Sequence, residues 1–196
     1  MPYFDNTMRI LNNAVSSIDA QTFRKLVDHS KETLKRGNQI IATGLGKNVP
    51  ICDKFVGTML SLGMRAFFLH TNSAVHGDLG AVRDGDLVII LTKSGETAES
   101  VYLMELLKKR KVDLWLLTFT EDSTLVREIP NHLIINLEHE GDMWDIVPNN
   151  STTMNLIVLQ GLAMHLAEEL GITLEDFKKN HPGGHIGDIL RGDNYE

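Results

Sequence analysis

Cysteine is nearly missing. Cys52 is the single one among 196 residues, so no disulfide can form within the chain and a reducing, cytoplasmic setting is the simplest expectation. No motif surrounds it, and it reads as a small apolar helix residue rather than a nucleophile. Positive charge is in deficit too: Lys and Arg total 19 against 26 Asp and Glu, a formal net charge of −7. That balance argues against nucleic acid or an anionic membrane as the main partner, while leaving room for a small anion in a locally positive pocket. No apolar run is long enough to span a bilayer, and the polar start Met1-Pro2-Tyr3-Phe4-Asp5 carries no signal-peptide pattern, so a soluble intracellular protein is expected. Internal repeats, low-complexity tracts and long linkers are absent as well. One domain over residues 1–196 is the economical reading, with N-terminal helices over 1–37 and a sheet core plus C-terminal segment over 38–192.

What the chain does have is alternation. Met8, Leu11, Ala14, Val15 and Ile18 recur at helical spacing, and Asp19 can cap a second helix carrying Phe23, Leu26, Val27 and Leu34. Strands are expected at Gln39–Thr43, Arg65–Leu69, Asp86–Thr92, Asp113–Thr118 and His132–Leu137, with helical stretches between them and a short one over Thr124–Glu128. A long helix is expected from Ser151 to about Leu170, ended by Gly171, followed by a short one capped by Thr173 and Asp176. This order implies an α/β fold: a doubly wound, five-stranded parallel sheet in three layers, αβα. Five strands suit the order 2-1-3-4-5, whose switch point lies between strands 1 and 3.

Two loops then flank one crevice. Leu87-Val88-Ile89-Ile90-Leu91 is apolar throughout, as a strand buried on both faces must be, and it breaks into Thr92-Lys93-Ser94-Gly95-Glu96-Thr97 before a helix begins. A buried strand turning through Ser-Gly-x-Thr into a helix aims free N–H groups, hydroxyls and the positive helix end at one point, which suits a phosphate. The plainer alternative is that Ser94 and Thr97 are ordinary helix caps. The other loop, Gly44-Leu45-Gly46-Lys47-Asn48, is not a nucleotide P-loop, because Ile41 stands where that pattern needs its first glycine; the G-x-G-x-x-G dinucleotide pattern fails too.

Five motifs in register carry a resemblance. They are Gly44-Leu45-Gly46-Lys47, His76-Gly77-Asp78-Leu79-Gly80, Ser94-Gly95-Glu96-Thr97-Ala98-Glu99, Pro148 with Ser151-Thr152-Thr153, and His181-Pro182-Gly183-Gly184. Together they resemble the sugar isomerase (SIS) domain family, and within it the arabinose-5-phosphate isomerase group. The resemblance implies a flavodoxin-like SIS fold, no cofactor, and a homotetramer with active sites near subunit interfaces. It also implies interconversion of ribulose 5-phosphate and arabinose 5-phosphate through an enediol(ate). Many relatives continue into paired CBS domains, so a catalytic module without that extension is expected. The sequence departs from the family pattern at Asn48, at Thr71-Asn72-Ser73 and at Glu140-Gly141-Asp142-Met143-Trp144-Asp145. The last change brings an indole and two carboxylates near the expected sugar site and bears on the identity of the sugar more than on the reaction.

The residue roles follow from that resemblance. Ser94 and Thr97, with Gly95 between them, are expected to bind phosphate, and Thr92, Asn48, Ser151 and Thr152 to assist. Lys47 would offset charge on the phosphate or on a developing enediolate. Aldose–ketose isomerisation needs a base for a proton on carbon and a group that moves protons between oxygens. Glu140 is expected as the base on carbon, His181 as the ring-opening or oxygen-proton group, and Glu99 and His76 as orienting residues. The histidine loop would reach a neighbouring subunit's site. None of His70, His76, His139, His181 and His185 shows ligand spacing on one element, so no metal is expected. Two other functions stay open: a non-catalytic sugar-phosphate sensor, and an isomerase of another phosphosugar such as a hexulose 6-phosphate.

Overall fold

A computed structural model describes residues 1–191. Residue 192, the last of the expected sheet-core segment, lies with 193–196 outside the described residues. Two helices lead, α1 (Pro2–Ser16) and α2 (Ala20–Lys35), and the side chain of Asp19 caps the second by accepting the Thr22 N–H at 2.7 Å. The chain then alternates: β1 (Ile40–Gly44), α3 (Asn48–Ser61), β2 (Ala66–Phe68), α4 (Thr71–Ala74), a 3₁₀ turn over Asp78–Ala81, β3 (Leu87–Leu91), α5 (Ala98–Leu107), β4 (Asp113–Thr118), α6 (Thr124–Glu128) and β5 (His132–Ile134). It closes with α7 (Asn150–Glu169), α8 (Leu174–Asn180) and α9 (Gly184–Arg191). Thr173 and Asp176 form the reciprocal capping box that starts α8.

All strand pairs are parallel and the order is β2-β1-β3-β4-β5. The three layers are visible in the sequence of β3 itself. Leu87, Ile89 and Leu91 join one apolar cluster with Leu26, Phe55, Met59, Trp115 and Leu162, while Val88 and Ile90 join the other with Leu103, Met104, Leu107 and Leu125. Alternate side chains of a strand point to opposite faces, so a strand that feeds two cores has no polar face to show. The first cluster lies under α1, α2, α3 and α7, the second under α4, α5 and α6. Each central strand side chain removed from water contributes ~1.5–3 kcal/mol, which makes this double core the main stabilising term.

The edge strands are shorter than the apolar runs that predict them. β2 spans Ala66–Phe68 rather than Arg65–Leu69, and β5 ends at Ile134 rather than Leu137. Each has only one neighbour, and β4 offers β5 ladder partners only from Leu116 to Thr118. Ile135 stays fully buried beyond the strand end, so the apolar run is real but serves packing rather than pairing. Among the described residues no helix is long and apolar enough to cross a membrane.

Candidate active site

The carboxyl ends of β1 and β3 lie side by side at the point where the strand order reverses, and the loops leaving them open into one cavity of about 240 Å³. The first loop supplies Lys47 and Asn48, the second Thr92, Lys93, Ser94 and Thr97, and the start of α7 closes the third side with Ser151, Thr152 and Asn155. The N-termini of α5 and α7 therefore both border the same hollow; that of α5 brings positive potential to it, while at α7 the N–H groups of Asn149, Asn150 and Ser151 are taken up by Glu140.

The turn after β3 is held by its own side chains. Thr92 is buried, and its Oγ1 accepts the Gly95 N–H at 3.1 Å. Ser94 Oγ accepts the Glu96 N–H at 3.3 Å, and the Glu96 carboxylate accepts both the N–H and the hydroxyl of Thr124, fastening the turn to α6. Those bonds hold the Glu96 carboxyl below the usual carboxylate range. Gly95 has φ +66°, and a Cβ built on it would overlap Ser123 Oγ and stand only 2.7 Å from Ser123 Cβ, so both backbone and space demand glycine. Thr97 occupies the N-cap of α5 but makes no side-chain cap bond, and it lines the cavity. The plain capping alternative therefore does not describe Thr97. Across the cavity Asn48 Oδ1 accepts from Asn155 Nδ2 at 2.9 Å, and exposed Lys47 stands at the head of α3.

Glu140 sits behind this wall rather than in it. It has no exposed surface, and its Oε2 accepts the N–H groups of Asn149 and Ser151 at 3.0 and 2.9 Å. Its Oε1 lies 2.7 Å from Lys93 Nζ, an approach too poorly directed for a proper hydrogen bond and so best described as an ion pair. Burial pushes the Glu140 carboxyl upward, but the Lys93 ammonium, Ser151 and the Asn149 N–H outweigh it and leave the group below the usual range. Around it, the loop that sequence reasoning expected to bring an indole and two carboxylates to the sugar site folds on itself. Asp142 accepts the N–H groups of Trp144, Ile146 and Val147, Asp145 accepts that of Glu140, and Trp144 is 65% exposed. Neither the indole nor these two carboxylates line the cavity.

Seven of the twelve expected residues line the cavity: Lys47, Asn48, Thr92, Ser94, Thr97, Ser151 and Thr152. Gly95 shapes its turn, and Glu140 touches it only through Lys93 and Ser151. The remaining three stand apart. Glu99 is exposed on the first turn of α5, and His76 is exposed between α4 and the 3₁₀ turn. His181 ends α8, stacked on Phe177 with ring centroids 3.9 Å apart and its Nδ1 3.0 Å from the Phe177 carbonyl oxygen. Sequence reasoning missed Lys93, Ser100 and Asn155. Lys93 was adjacent to the motif, and Ser100 and Asn155 follow Thr97 and Thr152 by three residues, one helical turn on the same face.

Residues 33–167 match the family model described as the SIS domain. The arabinose 5-phosphate isomerase KdsD of Pseudomonas aeruginosa is 33% identical over 181 residues, 92% of this chain and 56% of that protein. The chain spans about half the length of the curated relatives it matches. Among solved structures, a protein of Escherichia coli CFT073 in complex with arabinose 5-phosphate superposes with a TM-score of 0.85 at 30% identity, covering 92% of this chain and 94% of the other. A protein of Bacteroides fragilis NCTC 9343, assigned as a phosphosugar isomerase involved in capsule formation, superposes with a TM-score of 0.85 at 27% identity, covering 93% and 97%.

Proposed function

The chain belongs to the SIS domain family, and from that premise we propose that it is an aldose–ketose isomerase of a sugar phosphate, with arabinose 5-phosphate and ribulose 5-phosphate as its pair. The observation that carries this reading is the convergence of the α5 N-terminus, the hydroxyls of Ser94, Thr97, Ser151 and Thr152, and Lys47 on one cavity at the switch point. A phosphate dianion is the ligand that uses all of these at once. Three or four charge-assisted hydrogen bonds, each contributing ~1.5–3 kcal/mol, are enough for micromolar to millimolar binding after ordering costs.

In the reaction a base removes the proton on C2 of the open-chain aldose, and the C–H electron pair forms the C1=C2 bond of an enediolate. The proton returns to C1 as the O2 proton passes to O1 and the C2=O bond forms, giving the ketose. Lys47 faces the cavity where it offsets the developing negative oxygen. No carboxylate or imidazole lines the cavity among the described residues. In this reading Glu140, held behind the cavity wall by α7, is the base on carbon, His181 serves the oxygens, and Glu99 and His76 orient hydroxyls, with the His76 loop reaching the site of a neighbouring copy in a homotetramer. A cytoplasmic setting belongs to the same reading and is in keeping with a single cysteine, the buried Cys52.

The same lack of a cavity-lining base favours a second reading, a sugar-phosphate sensor without turnover. One experiment separates them. Incubating the protein with arabinose 5-phosphate in deuterium oxide gives ribulose 5-phosphate and solvent deuterium on carbon if it is an isomerase. Saturable binding with neither product nor exchange is the sensor's result. Failure to bind any pentose or hexose phosphate sinks both.

A further inference from the structure

Lys93 belongs to two environments. Its side chain lines the cavity beside Ser94 and Thr97 and is half exposed, while its Nζ lies 2.7 Å from Oε1 of the fully buried Glu140. The other oxygen of that carboxylate is tied to the N–H groups of Asn149 and Ser151 at the head of α7. Two further titratable groups stand near Glu140: Asp145, whose Oδ1 accepts the Glu140 N–H at 2.7 Å, and His139, whose Nδ1 lies 3.7 Å from that same oxygen. Lys47 lines the same cavity as Lys93.

We propose that Lys93 is a positioning residue which a bound phosphate draws away from Glu140, so that filling the cavity converts a neutralised carboxylate into a proton acceptor. The proposal rests on the reading of this cavity as a phosphate site. A phosphate, as monoanion or dianion, offers several acceptor oxygens and takes short, charge-assisted hydrogen bonds from an ammonium. Lysine, a point charge on a flexible stem, can turn between two such partners where a rigid guanidinium fork would not. The required reach is small, because Ser94 is the next residue and already forms part of the cavity wall. Once the ammonium turns, burial still opposes charge on Glu140 while the attraction that had countered it is gone, so the carboxylate becomes more basic. Oε2 remains fastened to α7, which keeps the group in place and leaves Oε1 to act. A sugar without its phosphate would leave the ion pair closed, so this device discriminates against unphosphorylated substrates.

The test is a ¹³C NMR titration of the Glu140 carboxyl carbon in the full chain, without and with inorganic phosphate, with ³¹P signals reporting occupancy. Phosphate should move the wild-type Glu140 midpoint upward. Lys93→Met should start from the higher midpoint, respond far less to phosphate, and bind phosphate about threefold to tenfold more weakly. Phosphate that binds the wild type without moving Glu140, or moves it equally in Lys93→Met, overturns the proposal and leaves the phosphate site standing. Phosphate that does not bind at all removes the site and the proposal with it. If Lys93→Met does not fold, the two wild-type titrations decide, with Lys93→Gln as the second variant.

Discussion

Glu140 accepts the backbone N–H of Ser151 at 2.9 Å, so a carboxylate eleven residues upstream closes the N-terminus of α7, whose own N-cap, Asn149, makes no side-chain cap bond. The contact joins stability to chemistry: the helix end that lines the cavity is held by the residue proposed as base. Glu140→Gln keeps one acceptor oxygen but neither the charge nor the basicity. Turnover of arabinose 5-phosphate should fall by about 10²–10⁴, with phosphate binding changed by no more than about threefold. Glu140→Ala should in addition cost about 2–4 kcal/mol in urea unfolding, because two N–H groups and an ammonium lose their partner. Unaltered turnover in Glu140→Gln would remove Glu140 from the reaction.

Ser94 and Thr97 make the opposite case. Neither hydroxyl holds up the core: Ser94 is exposed, and Thr97 makes no cap bond. Replacing both by alanine should raise KM for a sugar phosphate by about 10- to 100-fold, equivalent to one or two lost charge-assisted bonds. Stability to urea should change by less than about 1 kcal/mol. An unchanged KM in the double variant would count against the phosphate assignment.

That contrast marks where the sequence is informative. The strand order and the two loops beside the switch point were legible, because β3 is apolar at every position, β1 is apolar but for the buried Thr43, and the motifs sit at strand ends. Five of the seven residues that meet in the cavity, Lys47, Asn48, Thr92, Ser94 and Thr97, do so for the same reason: strand-end loops of neighbouring parallel strands cannot avoid each other, while Ser151 and Thr152 come from the start of α7. The Lys93–Glu140 pair was not legible. Nothing in local spacing says that a lysine after β3 finds a carboxylate after β5; only the sheet, with β4 between them, brings the two loops together. The fate of Asp142 and Asp145 was equally hidden, since a carboxylate that satisfies its own loop's backbone looks the same in sequence as one that faces a ligand.

Gly95 offers a test of the turn that needs no substrate. With φ +66° and the Ser123 side chain standing where a Cβ would go, Gly95→Ala combines backbone strain with a clash. The expected loss is about 2–4 kcal/mol in urea unfolding. Adding Ser123→Gly removes the obstructing atoms and the α6 cap together, the latter accepting the Val126 N–H. The pair should therefore recover part of the loss, leaving the φ penalty and the missing cap. A single variant as stable as the wild type would mean the turn is not built this way.

Acid should unfold the protein by a defined route. Glu169, paired with Arg24 and Lys31, and Asp176, bonded to Thr173, are both held down to about 2, and Glu140 also lies below its ordinary range. Each folded-state value is depressed, so each contribution is fully present above the unfolded value, 4.5 for the glutamates and 3.8 for the aspartate, and is lost as pH falls toward the folded one. Thermal unfolding midpoints should be level above about pH 5 and decline steadily from there toward about pH 2. Glu169→Gln should flatten part of that decline, and added salt should weaken its share, since Arg24 is half exposed. A midpoint independent of pH over this window would contradict the pairings.

Trp144 stands exposed between Met143 and Ile146, also exposed, on a loop whose backbone is pinned by Asp142 and Asp145, and Asn149 Nδ2 donates to Tyr3 Oη at 3.1 Å to bring the exposed start of α1 alongside. A floppy loop could fold such side chains away; a pinned one keeps them outside, which is how a contact surface differs from chance exposure. On the homotetramer reading these residues meet a second copy, and Trp144→Ser with Ile146→Ser should shift sedimentation from tetramer toward smaller species. Phosphate binding, made by loops of one chain, should persist in the variant. Turnover should drop with the loss of assembly, because His76 and Glu99 lie outside the cavity of their own chain. A wild-type protein that sediments as a monomer while converting substrate would defeat this arrangement and leave every catalytic group to be supplied by one chain.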